Sequence, residues 1–397
     1  MKFCMITSFF GTRGDASLVR LASALLQREH EVHIIYSGDA NHLPDGIERH
    51  ELQASFGRIA PLYAQQTGRL GTYRNQILTL LDEHHFDVIH LYDVSMLGGV
   101  ELIERIHERT EAVKLMSVND HWLLCPLKRL WQFNSQPCET PDCVACTLAA
   151  GKMPQFWRMG DRIINSLNHL DALIFPSDHA QALHRERGID LDQAMVLPPF
   201  LPDDWANGAA NPFTNSAETP YFVMTGELLK EKGFHTVIPL MKQTPHAKLY
   251  IIGSGNYMNE LHRLAADLPN VAFVGELDNA QKAELLADAT AMIVPSLMQE
   301  SVGDCVLEAF SLATPVLVRN RGALPEFVAR SGGGMLFENS AELLDKMHLL
   351  LQKPHIANRM GTRAVQERRS YWSESNHVAL YIDLIRSTQL RRDVEFA

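Results

Sequence analysis

Ala291-Met-Ile-Val-Pro-Ser-Leu-Met-Gln-Glu300-Ser-Val-Gly-Asp-Cys-Val-Leu-Glu308-Ala-Phe-Ser-Leu-Ala-Thr-Pro-Val-Leu-Val318 is the stretch that decides the fold. Ala291–Val294 is a short apolar run that stops at Pro295, as a strand buried on both faces does. Leu297–Gly303 makes a loop. Asp304–Leu312 is apolar at Val306, Leu307, Phe310 and Leu312, a helix with one buried face. Thr314-Pro315 ends it, and Pro315–Val318 is the next strand. Such a βαβ unit offers ligands the loop at the strand's carboxyl edge.

Two carboxylates frame that loop. Glu300 lies within it, and Glu308 sits inside the helix between apolar neighbours, where a charge without a partner is costly. The amides of Ser301, Val302 and Gly303 open the helix and can hold an anion, and Gly303 permits close approach.

The same alternation runs outward in both directions. Lys2–Ser8 is a strand, Phe9–Gly14 a loop, Ala16–Arg28 a helix and Glu31–Tyr36 a strand. Helices follow across Arg58–His84, Met96–Arg109, near Phe156–Leu170 and at His179–Arg187, with strands at Val88–Leu91, Lys114–Val118, Ala172–Phe175 and Met195–Leu197. Asn207–Pro220, rich in Asn, Ala, Thr and Pro, reads as a linker. Strands then recur at Tyr221–Thr225, Lys248–Ile252 and Val271–Val274, with helices near Phe234–Met241, Met258–Ala266 and Gln281–Asp288. Beyond Ser340 the chain is helical. The expected architecture is α/β: two doubly wound domains facing each other across a cleft. Their bounds are 1–205 (with an insertion at 119–150), a linker at 206–220, 221–369, and a final helical segment at 370–397 that returns to the first domain.

The 397-residue chain is 46% hydrophobic and 21% charged, which suits a globular protein with ample core. A net charge of −11 argues against a nucleic-acid surface, while a small phosphorylated ligand needs only local amides and a lysine. Met1–Phe10 is too short and strand-like for a signal peptide, and the cytoplasm is the expected compartment. Of six cysteines, Cys4 and Cys305 fall in apolar surroundings. Cys125, Cys138, Cys143 and Cys146 crowd together as Cys-x12-Cys-x4-Cys-x2-Cys. In a reducing compartment that crowding favours a structural zinc over disulfides, with an iron–sulfur cluster or unligated thiols as the alternatives. Arg13, beside Gly14 in the first crossover loop, is either an anion contact or a surface arginine. Phe156–Met159, with Trp157 and Arg158, reads as part of an amphipathic core helix rather than as a membrane contact.

With these residues quoted, the chain resembles the retaining GT-B glycosyltransferases of family 4, in a branch with a cysteine-rich insertion. The Glu-x7-Glu signature, in its Pro-Ser…Glu-Ala…Pro-Val frame, is matched by Pro295, Ser296, Glu300, Glu308, Ala309, Pro315 and Val316. The resemblance places Glu300 against the donor sugar, Glu308 on the nucleotide ribose, and the Ser301–Gly303 amides on sugar and diphosphate. A second motif, Gly-Arg-Leu-x-x-x-Lys-Gly, is matched by Gly226, Leu228, Lys232 and Gly233, with Glu227 in the arginine position. That leaves Lys232 as the main cation on the diphosphate. Glu276 and Leu277 match positions whose backbone reads the base. The run Ser117–Pro126 resembles a branch motif in which Asn119 replaces a sugar-contacting histidine. Asn119 can still hydrogen-bond a hydroxyl, and His121 either reaches the acceptor or packs.

The resemblance implies transfer of a sugar from a UDP- or GDP-linked donor to a saccharide or lipid-linked acceptor, in cell-surface polysaccharide or glycoconjugate synthesis. It implies no cofactor for catalysis and no nucleic acid, and peripheral contact with the inner membrane face is compatible with it. Glu300, Lys232 and Asn119 would be the catalytic group; Arg13, Gly14 and His121 would face the acceptor. The rivals are a GT-B epimerase or phosphorylase, and a nucleotide-sugar-binding protein without turnover, which Glu227 and Asn119 keep in play.

Overall fold

A computed structural model describes residues 1–10, 16–38, 43–54, 59–205 and 219–395. Two compact units emerge. One comprises Met1–Arg129, Thr140–Pro198 and His377–Ala397; the other comprises Leu130–Glu139 and Pro199–Asn376. Most of the expected linker, 206–218, lies outside the described residues.

The strands in chain order are β1 (Lys2–Phe10), β2 (Glu31–Gly38), β3 (Glu48–Glu51), β4 (Val88–Leu91), β5 (Val113–Ser117), β6 (Trp131–Gln132), β7 (Gln136–Pro137), β8 (Ala172–Phe175) and β9 (Ala194–Val196). Among the described residues seven of them form a parallel sheet in the order β3-β2-β1-β4-β5-β8-β9, while β6 and β7 make a small antiparallel hairpin. Phe3–Ile6 of β1 are fully buried because β1 lies inside the sheet and helices cover it. The helix Ala16–Leu26 buries Leu18, Leu21, Ala22 and Leu25, the face its spacing predicts.

The second unit carries β10 (Tyr221–Thr225), β11 (Lys248–Ile252), β12 (Val271–Gly275), β13 (Ala291–Val294), β14 (Val316–Arg319) and β15 (Gly334–Phe337), ordered β12-β11-β10-β13-β14-β15. Phe222, Met224, Leu249, Ile251 and Ile293 feed one core, whereas Tyr221, Val223, Ile252 and Met292 feed another. Successive side chains point to opposite faces and both faces are covered, so these strands read as continuous apolar runs. Strand order reverses between β1 and β4 in one sheet and between β10 and β13 in the other. Open α/β sheets bind ligands at such reversals, beyond the carboxyl ends of the strands.

Several elements depart from expectation. The helix expected over 58–84 is broken into Ile59–Thr67 and Arg74–Glu83, because Gly68 and Gly71 take positive φ of 64° and 55° between them. The helix expected near Phe156–Leu170 reduces to a turn at Phe156–Arg158 and a helix at Arg162–Leu167, parted by Gly160 at φ 95°. Phe234–Met241 is a run of 3-10 turns holding Pro239, which donates no backbone bond. Strands β3 and β15 were not expected: Glu48–Glu51 has no apolar run, and Gly334 opens β15. The last three helices, Ser340–Gln352, Pro354–Ser370 and Glu374–Glu395, lie where helical chain was expected. Among the described residues no helix is long and apolar enough to cross a membrane.

Candidate functional site

Beyond β10 the chain passes through Gly226, Glu227 and Leu228 into a 3-10 turn, Lys230–Lys232, that ends at Gly233. Beyond β13 it passes through Pro295 and Ser296 to Glu300. These two loops leave adjacent strands at the reversal, and they are stitched together. Leu297 N–H donates to the Glu231 carbonyl at 2.8 Å. Gly233 sits at φ 75°, and a Cβ there would fall 2.1 Å from the Pro295 oxygen, so only glycine lets the loops close up.

The closure brings Lys232 Nζ to 2.7 Å from Glu300 Oε1, and Ser296 Oγ donates to the same oxygen at 2.7 Å. Burial alone would lower the lysine's pKa. The charge and hydrogen bond of Glu300 outweigh it, with smaller help from Glu227, and hold it above the ordinary range. Lys232 is therefore a fixed cation. Glu227 is exposed, so its charge stays hydrated. Gly322 presses on the other side of Glu300, where a Cβ would lie 2.4 Å from the Glu300 nitrogen, and Ala323 N–H donates to the Glu300 carbonyl at 2.8 Å.

The helix that follows runs Asp304–Ser311 with Gly303 as its N-cap. Its first-turn amides therefore begin at Asp304, slightly later than the Ser301–Gly303 set expected, and Ser301 is buried. Gly303 packs beneath Phe327, whose ring a Cβ would meet at 2.7 Å. Glu308, one turn in, finds the partner its burial demands: Lys282 Nζ donates to its Oε1 at 2.6 Å, and both side chains are about 15% or less exposed. Lys282 also lies 5.5 Å from the Trp205 ring. Between the two glutamates, burial first and then the charges of Glu308 and Glu300 push the Cys305 thiol up to about 12, so it stays protonated. Sequence reasoning missed Lys282, because nothing in the helix Asn279–Ala287 marks one lysine as inward-facing. Glu276, just past β12, accepts from Ser254 Oγ at 2.6 Å, and Leu277 packs on the second core.

In the first unit the reversal lies between β1 and β4. Arg13 and Gly14 fall outside the described residues. Asn119, past β5, is half-buried and donates to Ser17 Oγ at 2.8 Å. It lines a small pocket of about 30 Å³ with Asp93, Ser117, Asp120 and Trp122. Lys128, held at φ 65°, reaches Asp93 at 2.5 Å and Asp120 at 3.6 Å. Burial raises the Asp120 pKa, whereas at Asp93 the lysine and the Ser95 bonds override burial and lower it. Asp93 and Lys128 were not singled out from the sequence; an aspartate just past a buried strand was the available signal. His121 is 1% exposed and stacks on His184 at 6.0 Å.

The four clustered cysteines are scattered in burial, from buried Cys125 to exposed Cys143. Among the described residues the groups of three or more ligating side chains that converge within 4.8 Å comprise His33, His50 and His84, with none of these cysteines. Phe156–Met159 is corrected. Phe156 is 63% and Met159 64% exposed, with Met153 beside them equally open. Arg158 lies over both Trp122 and Trp157, 5.2 and 4.7 Å from their rings, on an apolar surface rather than in a core helix.

Residues 210–367 match the family described as Glycosyl transferases group 1, and residues 15–205 match Glycosyltransferase Family 4. A GDP-mannose-dependent monoacylated alpha-(1-6)-phosphatidylinositol monomannoside mannosyltransferase from Corynebacterium glutamicum is 29% identical over 49% of this chain and 53% of its own length. The lipopolysaccharide core biosynthesis glycosyltransferase LpsE of Rhizobium meliloti is 34% identical over 29% of this chain and 34% of its own. The chain thus spans about half or less of the length of these curated relatives. Among solved structures, sucrose-phosphate synthase from Thermosynechococcus elongatus superposes with a TM-score of 0.74 at 16% identity, covering 99% of both chains. Anabaena HepE in complex with UDP gives 0.72 at 17%, covering 98% of this chain and 100% of its own. At such identities these two likenesses speak for the two-domain GT-B fold.

Proposed function

We propose that the chain is a group 1 glycosyltransferase, a retaining enzyme moving a sugar from a nucleotide-diphosphate donor to a saccharide or lipid-linked acceptor. The observation that carries this reading is the pairing of Lys232 with Glu300 at the strand-order reversal, with Glu308 one turn into the adjoining helix. Lys232 and the first-turn amides would neutralise the diphosphate as it leaves, an electrostatic contribution that needs no metal. Glu300 would turn from Lys232 towards the sugar hydroxyls, and Glu308 towards the ribose diol. The acceptor oxygen bonds to the sugar's anomeric carbon as the carbon–phosphate-oxygen bond breaks on the same face. A departing phosphate oxygen takes the acceptor's proton, so no protein nucleophile is required. HepE, whose fold this chain shares, is a UDP complex, and the Corynebacterium relative is named for GDP-mannose; both bases are therefore tested.

The acceptor falls to the first unit, where Asn119 and the Asp93–Lys128–Asp120 cluster offer hydroxyl partners. The exposed Met153, Phe156 and Met159 support a lipid-linked acceptor and peripheral contact with a membrane surface. Calorimetric titration with UDP and GDP, followed by a donor-sugar screen with the preferred base, tests the reading. Binding of one nucleotide and a product with the donor's anomeric configuration are expected. Binding of neither nucleotide would remove the site, an inverted product would remove the retaining mechanism, and conversion of donor without acceptor would favour an epimerase.

A further inference from the structure

Three histidines converge at the edge of the first sheet. His33 lies on β2, His50 on the edge strand β3, and His84 is the C-cap of the helix Arg74–Glu83. His33 Nδ1 is 2.9 Å from His50 Nε2, and the two rings stack 5.2 Å apart. The His84 ring stands 5.0 Å from His33 and 5.3 Å from His50. One ligating nitrogen from each residue falls within 4.8 Å of the others. His33 is buried, and His50 and His84 are half-buried, so the cluster is enclosed yet reachable from solvent.

The surroundings resemble the outer shell of a metal centre. Glu31 takes Nε2 of His33 at 2.8 Å, which leaves Nδ1 for an ion and fixes the ring. Lys2 holds Glu31 in turn at 2.8 Å, and Phe86 packs edge-on against His33 at 5.2 Å. We propose that His33, His50 and His84 bind one divalent transition-metal ion of the zinc class. Imidazole nitrogens suit zinc, nickel or copper, whereas calcium and magnesium demand oxygen ligands. Three imidazoles leave a fourth tetrahedral position for water. Zinc–nitrogen bonds of about 2.0–2.1 Å set ligand nitrogens roughly 3.3 Å apart, so the 2.9 Å pair has to open by only a few tenths of an ångström. The ion would tie a strand of four residues at the sheet edge, and the end of a helix, to the buried β2.

The test uses the untagged full chain stripped of metal with a chelator. Zinc is titrated by calorimetry and cobalt(II) by absorption, and thermal unfolding is followed with and without zinc. One ion per chain is expected, with a cobalt spectrum free of the intense thiolate band and a raised unfolding midpoint. His50→Ala and His84→Asn should each weaken binding at least about tenfold and abolish the zinc-induced shift. Glu31→Gln should weaken it by about 10–100-fold while keeping the stoichiometry. Circular dichroism checks that each variant folds. Unaltered binding in both histidine variants, a thiolate band in the cobalt spectrum, or no saturable binding tighter than about 0.1 mM would overturn the proposal and leave the cluster as stacked imidazole packing.

Discussion

Glu308→Ala is the sharpest perturbation of the proposed donor site. The wild-type side chain is 13% exposed, so its charge works in a partly dry setting, and it is held by Lys282 at 2.6 Å. If it grips the ribose diol, the variant loses hydrogen bonds to a charged acceptor, each about 1.5–3 kcal/mol. One such bond corresponds to about 10–150-fold in Kd, since 1.4 kcal/mol is tenfold. The freed Lys282 ammonium would recover a little by attracting the diphosphate, which puts the expectation in the lower part of that range. Isothermal titration of the bare nucleoside diphosphate measures it without the sugar. The contrast is Glu300→Gln, which leaves the ribose side untouched and releases Lys232 from its 2.7 Å partner. It should not weaken nucleoside diphosphate binding but should depress turnover with the intact donor. A folded Glu308→Ala chain with wild-type Kd for both UDP and GDP would refute the reasoning.

Lys232→Ala should lower kcat about 10²–10³-fold, the cost of one preorganised charge partner at a leaving group, and steady-state rates within threefold of wild type would count against it. Gly233→Ala places a Cβ 2.1 Å from the Pro295 oxygen at φ 75°, so its thermal midpoint should fall by the equivalent of about 1–3 kcal/mol, and an unchanged midpoint would show that the loops are not tightly joined. Stability should also fall in acid. Burial first of all depresses His90 to about 3 and His184 and His377 to about 4. Above their ordinary value near 6.5 they are neutral in both states. As pH falls below it, the unfolded chain gains protons the native chain refuses, and stability is lost down to about pH 4. Each histidine contributes about 1.4 kcal/mol per pH unit, so urea midpoints should drop steeply from pH 6.5 to 4.5, less so in His90→Gln, and flat midpoints would contradict the burial argument.

Much of this chain was legible without coordinates because its strands are buried on both faces. Ala291–Val294 and residues 221–224 are unbroken apolar runs, short and bounded by turn residues as buried parallel strands are. Where the signal was weak, the reading failed for a physical reason. β3 is Glu-Arg-His-Glu, a strand only because β2 offers it a hydrogen-bonding edge. The turn at Phe156 carries large apolar residues that helical periodicity assigns to a core, yet Gly160 breaks the helix and leaves them at the surface.

The sequence by itself determined the two βαβ alternations, the strand ends that carry glycines, and the spacing of Glu300 and Glu308 on one loop and helix. These are local matters, set by side-chain period and by turn chemistry. Only the tertiary structure decided which cations answer those glutamates. It set Lys232 on Glu300 across a sequence separation of 68, and Lys282 on Glu308 across 26. It likewise gathered His33, His50 and His84 from two strands and a helix end. Partners brought together by strand order leave no periodic trace along the chain, because adjacency in a sheet is fixed by crossovers rather than by distance along the sequence.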